Sequence, residues 1–331
     1  MIRVGIVGHS GYSGAELVKI LGRHPYVEPV LLDHRADPGP EAPAWGPRRF
    51  PWSPQVLSEQ AIAVLFLATP AEVSMELAPA ALEQGVKVID LSGAFRLRTP
   101  ENYRRWYGAE HTRADLLAEA AYGLPEFCRD RIRHARLVAN PGCYPTAANL
   151  ALKPLIEAGV IDRAAGVVCD AKSGVSGAGK KPTAKHHFCE VTENFSAYSV
   201  LDHRHVPEVL LTSALEEGEF SFTAQLLPVH RGILETIYFR ANRPLDRAAV
   251  EQIYQRRYAG EPFVRLYPDG RLPNLQAVAH TNFCDLGIKA DPATRRVVVV
   301  AAIDNLVKGA AGQAVQNMNL LLGRVETEGL Q

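Results

Sequence analysis

Residues 2–7, Ile-Arg-Val-Gly-Ile-Val, run straight into Gly8-His9-Ser10-Gly11-Tyr12-Ser13-Gly14, and an apolar stripe at Ala15, Leu17, Val18 and Leu21 follows. A β-branched run, a glycine turn and a helix-spaced stripe in that order define the first β-α unit of a buried parallel sheet. Such a unit offers backbone N–H groups at a helix N-terminus, which suits a dinucleotide pyrophosphate. The spacing is G-x-x-G-x-x-G, with Ser10 where the usual fingerprint has its second glycine. A glycine-rich turn without a ligand is therefore the competing reading. The position in the opening unit favours the ligand, with Gly8, Ser10, Gly11, Tyr12, Ser13 and Gly14 as cofactor-binding residues.

The next strand, 27–32, ends at Asp33-His34-Arg35. An acidic residue there takes the ribose hydroxyls of NAD, whereas a nearby arginine accommodates the 2′-phosphate of NADP. Both are present, and Arg35 turns the expectation to NADP. Residues 38–54 are rich in Pro and Trp without periodicity and read as a surface loop. Strands at 61–68 and 86–91 enclose a helix pattern at 71–84, and this alternation predicts a Rossmann-type, doubly wound parallel sheet. Thr69-Pro70 and the segment Leu91 to Arg96 fall at strand ends, where such sheets bind ligands. Arg96 and Arg98 could form a phosphate-gripping fork or serve only solubility. Residues 102–122 read as partly helical.

A second informative stretch is Val138-Ala139-Asn140-Pro141-Gly142-Cys143-Tyr144-Pro145-Thr146. Asn-Pro-Gly stops a strand and turns the chain, and a helix-like stretch starts just after Thr146. A thiol at a helix start meets unpaired N–H groups and the positive end of the dipole, both of which favour the thiolate. A small buried cysteine near a turn is the plainer alternative. The five cysteines are odd in number and scattered, which speaks for free thiols in a reducing, cytoplasmic compartment over a disulfide framework.

Past Cys143 the strands lengthen and alternate, at 166–172, 220–228, 233–240 and 297–303. They predict an α+β domain with a mostly antiparallel sheet, whose breadth offers a face for a homodimer or homotetramer. Residues 305–322 read as one helix. Within the loop 173–181, Gly174 to Lys180 satisfies G-x-x-x-x-G-K, but Lys181 stands where a nucleotide-triphosphate loop needs Ser or Thr for Mg²⁺. A small-residue loop facing the cofactor or Cys143, with Ser173, Gly174 and Gly177 near the cofactor, explains the glycines better. His187-x-Cys189 and His203-x-His205 do not have structural-zinc spacing, and no metal is expected. A catalytic thiol does need a proton carrier titrating near neutrality. His203 or His205 would serve, oriented by Glu208.

The formal net charge is zero and no long basic run occurs, which disfavours nucleic acid and anionic membranes as partners. The apolar runs are too short to span a bilayer, and no targeting segment precedes the first strand.

Taken in order, these stretches resemble the N-acetyl-gamma-glutamyl-phosphate reductase family, NADPH-dependent enzymes of arginine biosynthesis. The match extends through Leu91-Ser92, Phe95-Arg96-Leu97, His203-Arg204-His205 with Pro207-Glu208, Arg231-Gly232, and Asp304-Asn305-Leu306-Val307-Lys308-Gly309. The resemblance implies Cys143 as nucleophile, His205 as acid/base, His203 and Glu208 as support, and a small-molecule acyl phosphate as substrate. It implies an aspartate-semialdehyde-dehydrogenase-like architecture, in which a C-terminal helix (305–331) completes an NADP-binding domain (1–145) and residues 146–304 form the catalytic and oligomerisation domain. Asn305 and Lys308 then fall on the nicotinamide side, and Arg96, Arg231 and Lys180 are candidates for the substrate's phosphate or carboxylate. Asp33 departs from the family, which usually has Ser or Thr there. A lysine-pathway reductase acting on a carrier-bound substrate, a cysteine hydrolase and a non-enzymatic sensor are alternatives. Pro-Gly-Cys-Tyr with the glycine loop, the opening glycine turn, and the retained Cys143 and histidines speak against them in turn.

Overall fold

The seven strands of the first sheet are β1 (Ile2–Val7), β2 (Val27–Asp33), β3 (Arg48–Pro51), β4 (Ile62–Leu67), β5 (Lys87–Asp90), β6 (Ala121–Tyr122) and β7 (Leu137–Ala139). In the computed structural model, which describes residues 1–34 and 46–331, they lie in the order β3-β2-β1-β4-β5-β7-β6. Every pairing is parallel. The strands read as unbroken apolar runs because both faces are covered. Val7, Leu32, Leu65 and Val88 pack with helix Ala71–Glu83 on one side. Val4, Ile6, Phe66 and Ile89 pack on the other with helices Tyr12–Leu21 and Gly312–Leu321. Strand order reverses between β1 and β4, the switch point where such sheets bind ligands.

One expectation changes here and another is borne out. Part of the loop read at 38–54 is a strand: β3 pairs with β2 through four register positions. A short, charged strand ending in proline suits a sheet edge and escapes a search for apolar alternation. Residues 102–122 hold parts of two short helices, Pro100–Tyr107 and Ala114–Glu119, before β6. Arg35 lies outside the described residues.

The second sheet is built from β8 (Val167–Gly174), β9 (Ser196–Tyr198), β10 (Phe220–Leu227), β11 (Ile233–Arg240), β12 (Val264–Leu266), β13 (Cys284–Asp291) and β14 (Arg296–Ile303), in the order β12-β13-β14-β11-β8-β10-β9. β8–β10 and β12–β13 are parallel and the other pairings antiparallel. On β11 Ile233, Ile237 and Phe239 are buried while Tyr238 is exposed. Helix Cys143–Glu157 lies against β11 and β14 and against helix Val206–Ser213.

The chain divides into two compact units, Met1–Gly142 with Ala310–Gln331, and Cys143–Gly309. The divisions fall a few residues from 145/146 and 304/305. Cys143 already opens the second unit's helix, so the boundary precedes it. Asn305 and Lys308 also belong to the second unit, because 305–322 is not one regular helix. The Asp304 carboxylate accepts the N–H groups of Leu306 and Val307. The Gly309 N–H then reaches the Asp304 carbonyl at 2.9 Å, an i→i+5 bond that opens the π-turn Val307–Ala311 before helix Gly312–Leu321. Among the described residues no helix is long and apolar enough to cross a membrane.

Candidate active site

In the first unit the turn after β1 is shaped by its glycines. Gly8 has φ +83°, and a Cβ there would lie 2.2 Å from the Ala68 carbonyl oxygen. A Cβ on Gly14 would sit 2.1 Å from the Gly8 oxygen, so helix Tyr12–Leu21 can approach the turn only as glycine. Gly11 differs. Its Cβ would meet only the Gly8 oxygen at 3.5 Å, an ordinary contact. Gly11 is the N-cap of a helix with no side-chain cap, which leaves first-turn N–H groups for a ligand. Gly8, Ser10 and Gly11 line a cleft of about 390 Å³ with Asp33, Arg49, Thr69 and Pro70. Tyr12 is exposed and Ser13 half-buried at the helix start.

Asp33, at the end of β2, is firmly held. Arg49 donates to it through Nε at 2.5 Å and Nη2 at 2.9 Å, and His9 Nε2 lies 3.0 Å from the same carboxylate. Burial pushes the Asp33 carboxyl up, but the hydrogen bonds and charges of Arg49 and His9 outweigh it and leave it below the ordinary carboxylate range. Arg49 carries no signal in the sequence, since its strand is short, polar and without apolar alternation. The glycine cradle, bare helix start and polar strand ends fit a dinucleotide.

The turn ahead of Cys143 is clamped from within the first unit. Arg96, buried, donates through Nε to the Asn140 carbonyl and through Nη2 to the Leu91 carbonyl, each at 2.8 Å. The Asn140 side chain donates to the Ala310 carbonyl at 3.1 Å and accepts from Asn317 at 3.0 Å. Arg98 is exposed while Arg96 is buried, so the two do not form the fork considered from sequence.

In the second unit, Cys143 is a half-buried thiol outside any disulfide, at the first position of helix Cys143–Glu157. Gly309 lies against it so closely that a Cβ there would come within 2.8 Å of the Cys143 Cβ. Near the helix start the Tyr144 ring lies 6.0 Å from that of His205, and further along Lys153 donates to the Thr212 carbonyl at 3.0 Å. Helices Cys143–Glu157 and Val206–Ser213 thus run in the same direction, and their N-termini come together.

His205 is the N-cap residue of the second of these helices, with Glu208 Oε1 4.0 Å from its Nε2 and both side chains buried. His203 Nδ1 accepts the His205 N–H at 3.1 Å, so neutral His203 carries its proton on Nε2. Burial, reinforced by the Arg204 charge, pulls the His203 imidazole down to about 4. Two phenols complete the cluster. Tyr144 and Tyr198 share a hydrogen bond of 3.0 Å, and Tyr144 packs edge-on against His203. Both phenols are pushed up, chiefly by burial, with the charge of Cys143 contributing to each. Tyr198 comes from β9, a three-residue strand whose pattern gave no warning of it.

The loop 173–179 is laced to residues 229–232 by backbone bonds from Gly174, Val175 and Ser176, of 2.9, 2.9 and 3.0 Å. Two of its glycines answer to close packing, Gly174 against that neighbour and Gly177 within the loop. A Cβ on Gly174 would strike the Arg231 backbone at 2.8 Å, and one on Gly177 would strike Ser173 Oγ at 2.9 Å. The Ser173 hydroxyl bonds the Gly174 carbonyl. Asn305 joins the loop to its neighbour, accepting the Gly232 N–H at 2.7 Å and donating to Ser176 Oγ at 3.0 Å. Arg231 pairs with the buried Asp304 at 3.1 Å, Lys180 is exposed, and Lys308 is fully buried over the Phe263 ring. Among the described residues no His, Cys, Asp and Glu side chains are grouped to hold a metal ion.

Residues 3–135 match the family described as semialdehyde dehydrogenase, NAD binding domain, and residues 143–305 match semialdehyde dehydrogenase, dimerisation domain. The chain has the fold of aspartate semialdehyde dehydrogenase II complexed with ASA from Vibrio cholerae, with a TM-score of 0.73, 19% identity and 98% of each chain covered. It likewise superposes on a probable aspartate-semialdehyde dehydrogenase from Pseudomonas aeruginosa, with a TM-score of 0.72 and 23% identity over 97% of this chain and 98% of the other. Fold and matched domains define a protein of the semialdehyde dehydrogenase class. Within it, the N-acetyl-gamma-glutamyl-phosphate reductase of Symbiobacterium thermophilum is 48% identical over 99% of this chain and 97% of its own length. That of Desulforudis audaxviator is 48% identical over 100% and 98%. The chain belongs to the N-acetyl-gamma-glutamyl-phosphate reductase family.

Proposed function

We propose that the protein reduces N-acetyl-L-glutamyl 5-phosphate to N-acetyl-L-glutamate 5-semialdehyde with NADPH, releasing phosphate, as a cytoplasmic step of arginine biosynthesis. The observation that carries this reading is Cys143 at a helix start, with Tyr144 wedged against His203 and His205. The Cys143 thiolate attacks the acyl carbon, the bond to the phosphate oxygen breaks, and phosphate leaves with the electron pair. A thioester remains on Cys143, electrophilic enough for reduction. NADPH, when bound, supplies the hydride that reduces this thioester. His205 gives a proton to the oxygen of the resulting hemithioacetal and takes it back as the C–S bond breaks, which frees the aldehyde and restores the thiolate. Glu208 and His203 position His205 through its side chain and its backbone N–H.

Gly8, Ser10, Gly11, Tyr12, Ser13 and Gly14 hold the dinucleotide. Arg96 positions the turn that precedes Cys143, while Arg231 and Lys180 are the cations we assign to the substrate's phosphate or carboxylate. The loop bearing Ser173, Gly174 and Gly177, together with Asn305 and Lys308, supports the nicotinamide side. Exposed Val168 and Tyr238 on the second sheet, with Phe188, Phe195 and Leu201 nearby in sequence to β9, support a homodimer or homotetramer. The test is the reverse reaction. With N-acetylglutamate semialdehyde, NADP⁺ reduction is expected only when phosphate is present; phosphate-independent reduction, or none, would overturn the assignment.

A further inference from the structure

We propose that Arg49, fixed by Asp33 and His9, reads the 2′-phosphate of the dinucleotide in this chain, and that Asp33 acts as its anchor instead of as a ribose-binding acid. The inference rests on the NADP reading above.

Asp33 stands at the end of β2, where a carboxylate ordinarily accepts the ribose hydroxyls and its charge opposes a 2′-phosphate. Here three acceptor positions of that carboxylate are taken, two by Arg49 at 2.5 and 2.9 Å and one by His9 at 3.0 Å. The arrangement follows from the register. Arg49 on β3 is opposite Leu31 on β2, two residues before Asp33 and so on the same face of the sheet. The Arg49 side chain is 18% exposed and the Asp33 side chain 19%, and both line the cleft beside Gly8 and Ser10. Asp33 and Arg49 together present no net charge where Asp33 alone would present a negative one. A guanidinium held along one edge is pre-organised for an oxyanion, because its plane is already set.

Titration calorimetry on the full chain with 2′,5′-ADP and 5′-AMP tests this, since the probes differ only in the 2′-phosphate. The wild-type protein is expected to prefer 2′,5′-ADP. Arg49→Ala should lower that preference about tenfold or more. Arg49→Gln keeps an amide donor for Asp33 without the charge, and should do the same should the alanine variant fail to fold. A wild-type protein that binds both probes equally would overturn the NADP reading itself. A wild-type preference that survives both Arg49 substitutions would overturn the assignment made here and leave that reading standing.

Discussion

The nucleotide cleft and the thiol site are built from different materials. Around Gly8 and Gly14 the first unit uses backbone: carbonyl oxygens pass within 2.1–2.2 Å of where a Cβ would be, and the helix that follows starts without a side-chain cap. Around Cys143 the second unit uses side chains, a thiol, two imidazoles and two phenols, drawn from two helix starts and β9. A site of the first kind fails when atoms are added, and one of the second kind when atoms are removed or exchanged. The same logic separates the two glycine loops. Gly174 is demanded by packing against 229–232 and Gly177 by the loop's own Ser173, whereas a Cβ on Gly11 would make only an ordinary contact.

Exchange at the thiol gives the largest effect. Cys143→Ser should lower the phosphate-dependent reaction by about 10⁴-fold, with NADP⁺ affinity retained, because an alcohol is a poor nucleophile near neutrality. Stopped-flow turnover and equilibrium titration on one preparation separate the two readouts, and a serine variant within tenfold of wild type would remove Cys143 from the chemistry. Addition at the cleft comes next. Gly14→Ala should lose about 3 kcal/mol of stability through the clash with Gly8, seen as a lower thermal midpoint. Gly11→Ala should melt as the wild type does yet bind dinucleotide more weakly. Equal melting of the two variants would break the distinction between packing and ligand glycines.

The smallest effect concerns pH. The folded-state His203 value of about 4 lies below the ordinary 6.5, so between these values the unfolded chain binds the proton more readily. Its contribution is therefore lost as pH falls through that window, about 2.5 kcal/mol of it by pH 4.5. Denaturant midpoints measured from pH 7 to 4.5 should fall less steeply for His203→Asn than for the wild type. Parallel slopes would mean that His203 is hydrated in the folded protein.

Much of the first unit was legible because buried parallel strands and a glycine turn leave dense local patterns. Cys143 was legible through Asn-Pro-Gly before it and the apolar stripe after. What escaped depends on neighbours remote in sequence. Arg49 matters through Asp33, sixteen positions earlier, and sits on an edge strand too polar to announce itself. β13 hides behind Gly287, a residue that weakens strand patterns and is there because a Cβ would meet the Arg271 carbonyl at 2.6 Å. Gly309 looked like the interior of a helix, but its lack of a side chain admits Cys143, and only the π-turn brings the two together. Arg96 and Arg231 read as free cations, because nothing local reveals the Asn140 carbonyl or Asp304 that they hold.

The interrupted course of the first unit bears on how the chain is made. Synthesis delivers Met1–Gly142, then all of Cys143–Gly309, and only afterwards Ala310–Gln331. Ala314, Val315, Met318 and Leu321 of that last segment cover the face bearing Val4, Ile6 and Phe66. A nascent chain therefore holds a nearly finished parallel sheet with one apolar face bare while the whole second unit emerges, a period in which the second unit can fold first and the open sheet is the surface most in need of a chaperone.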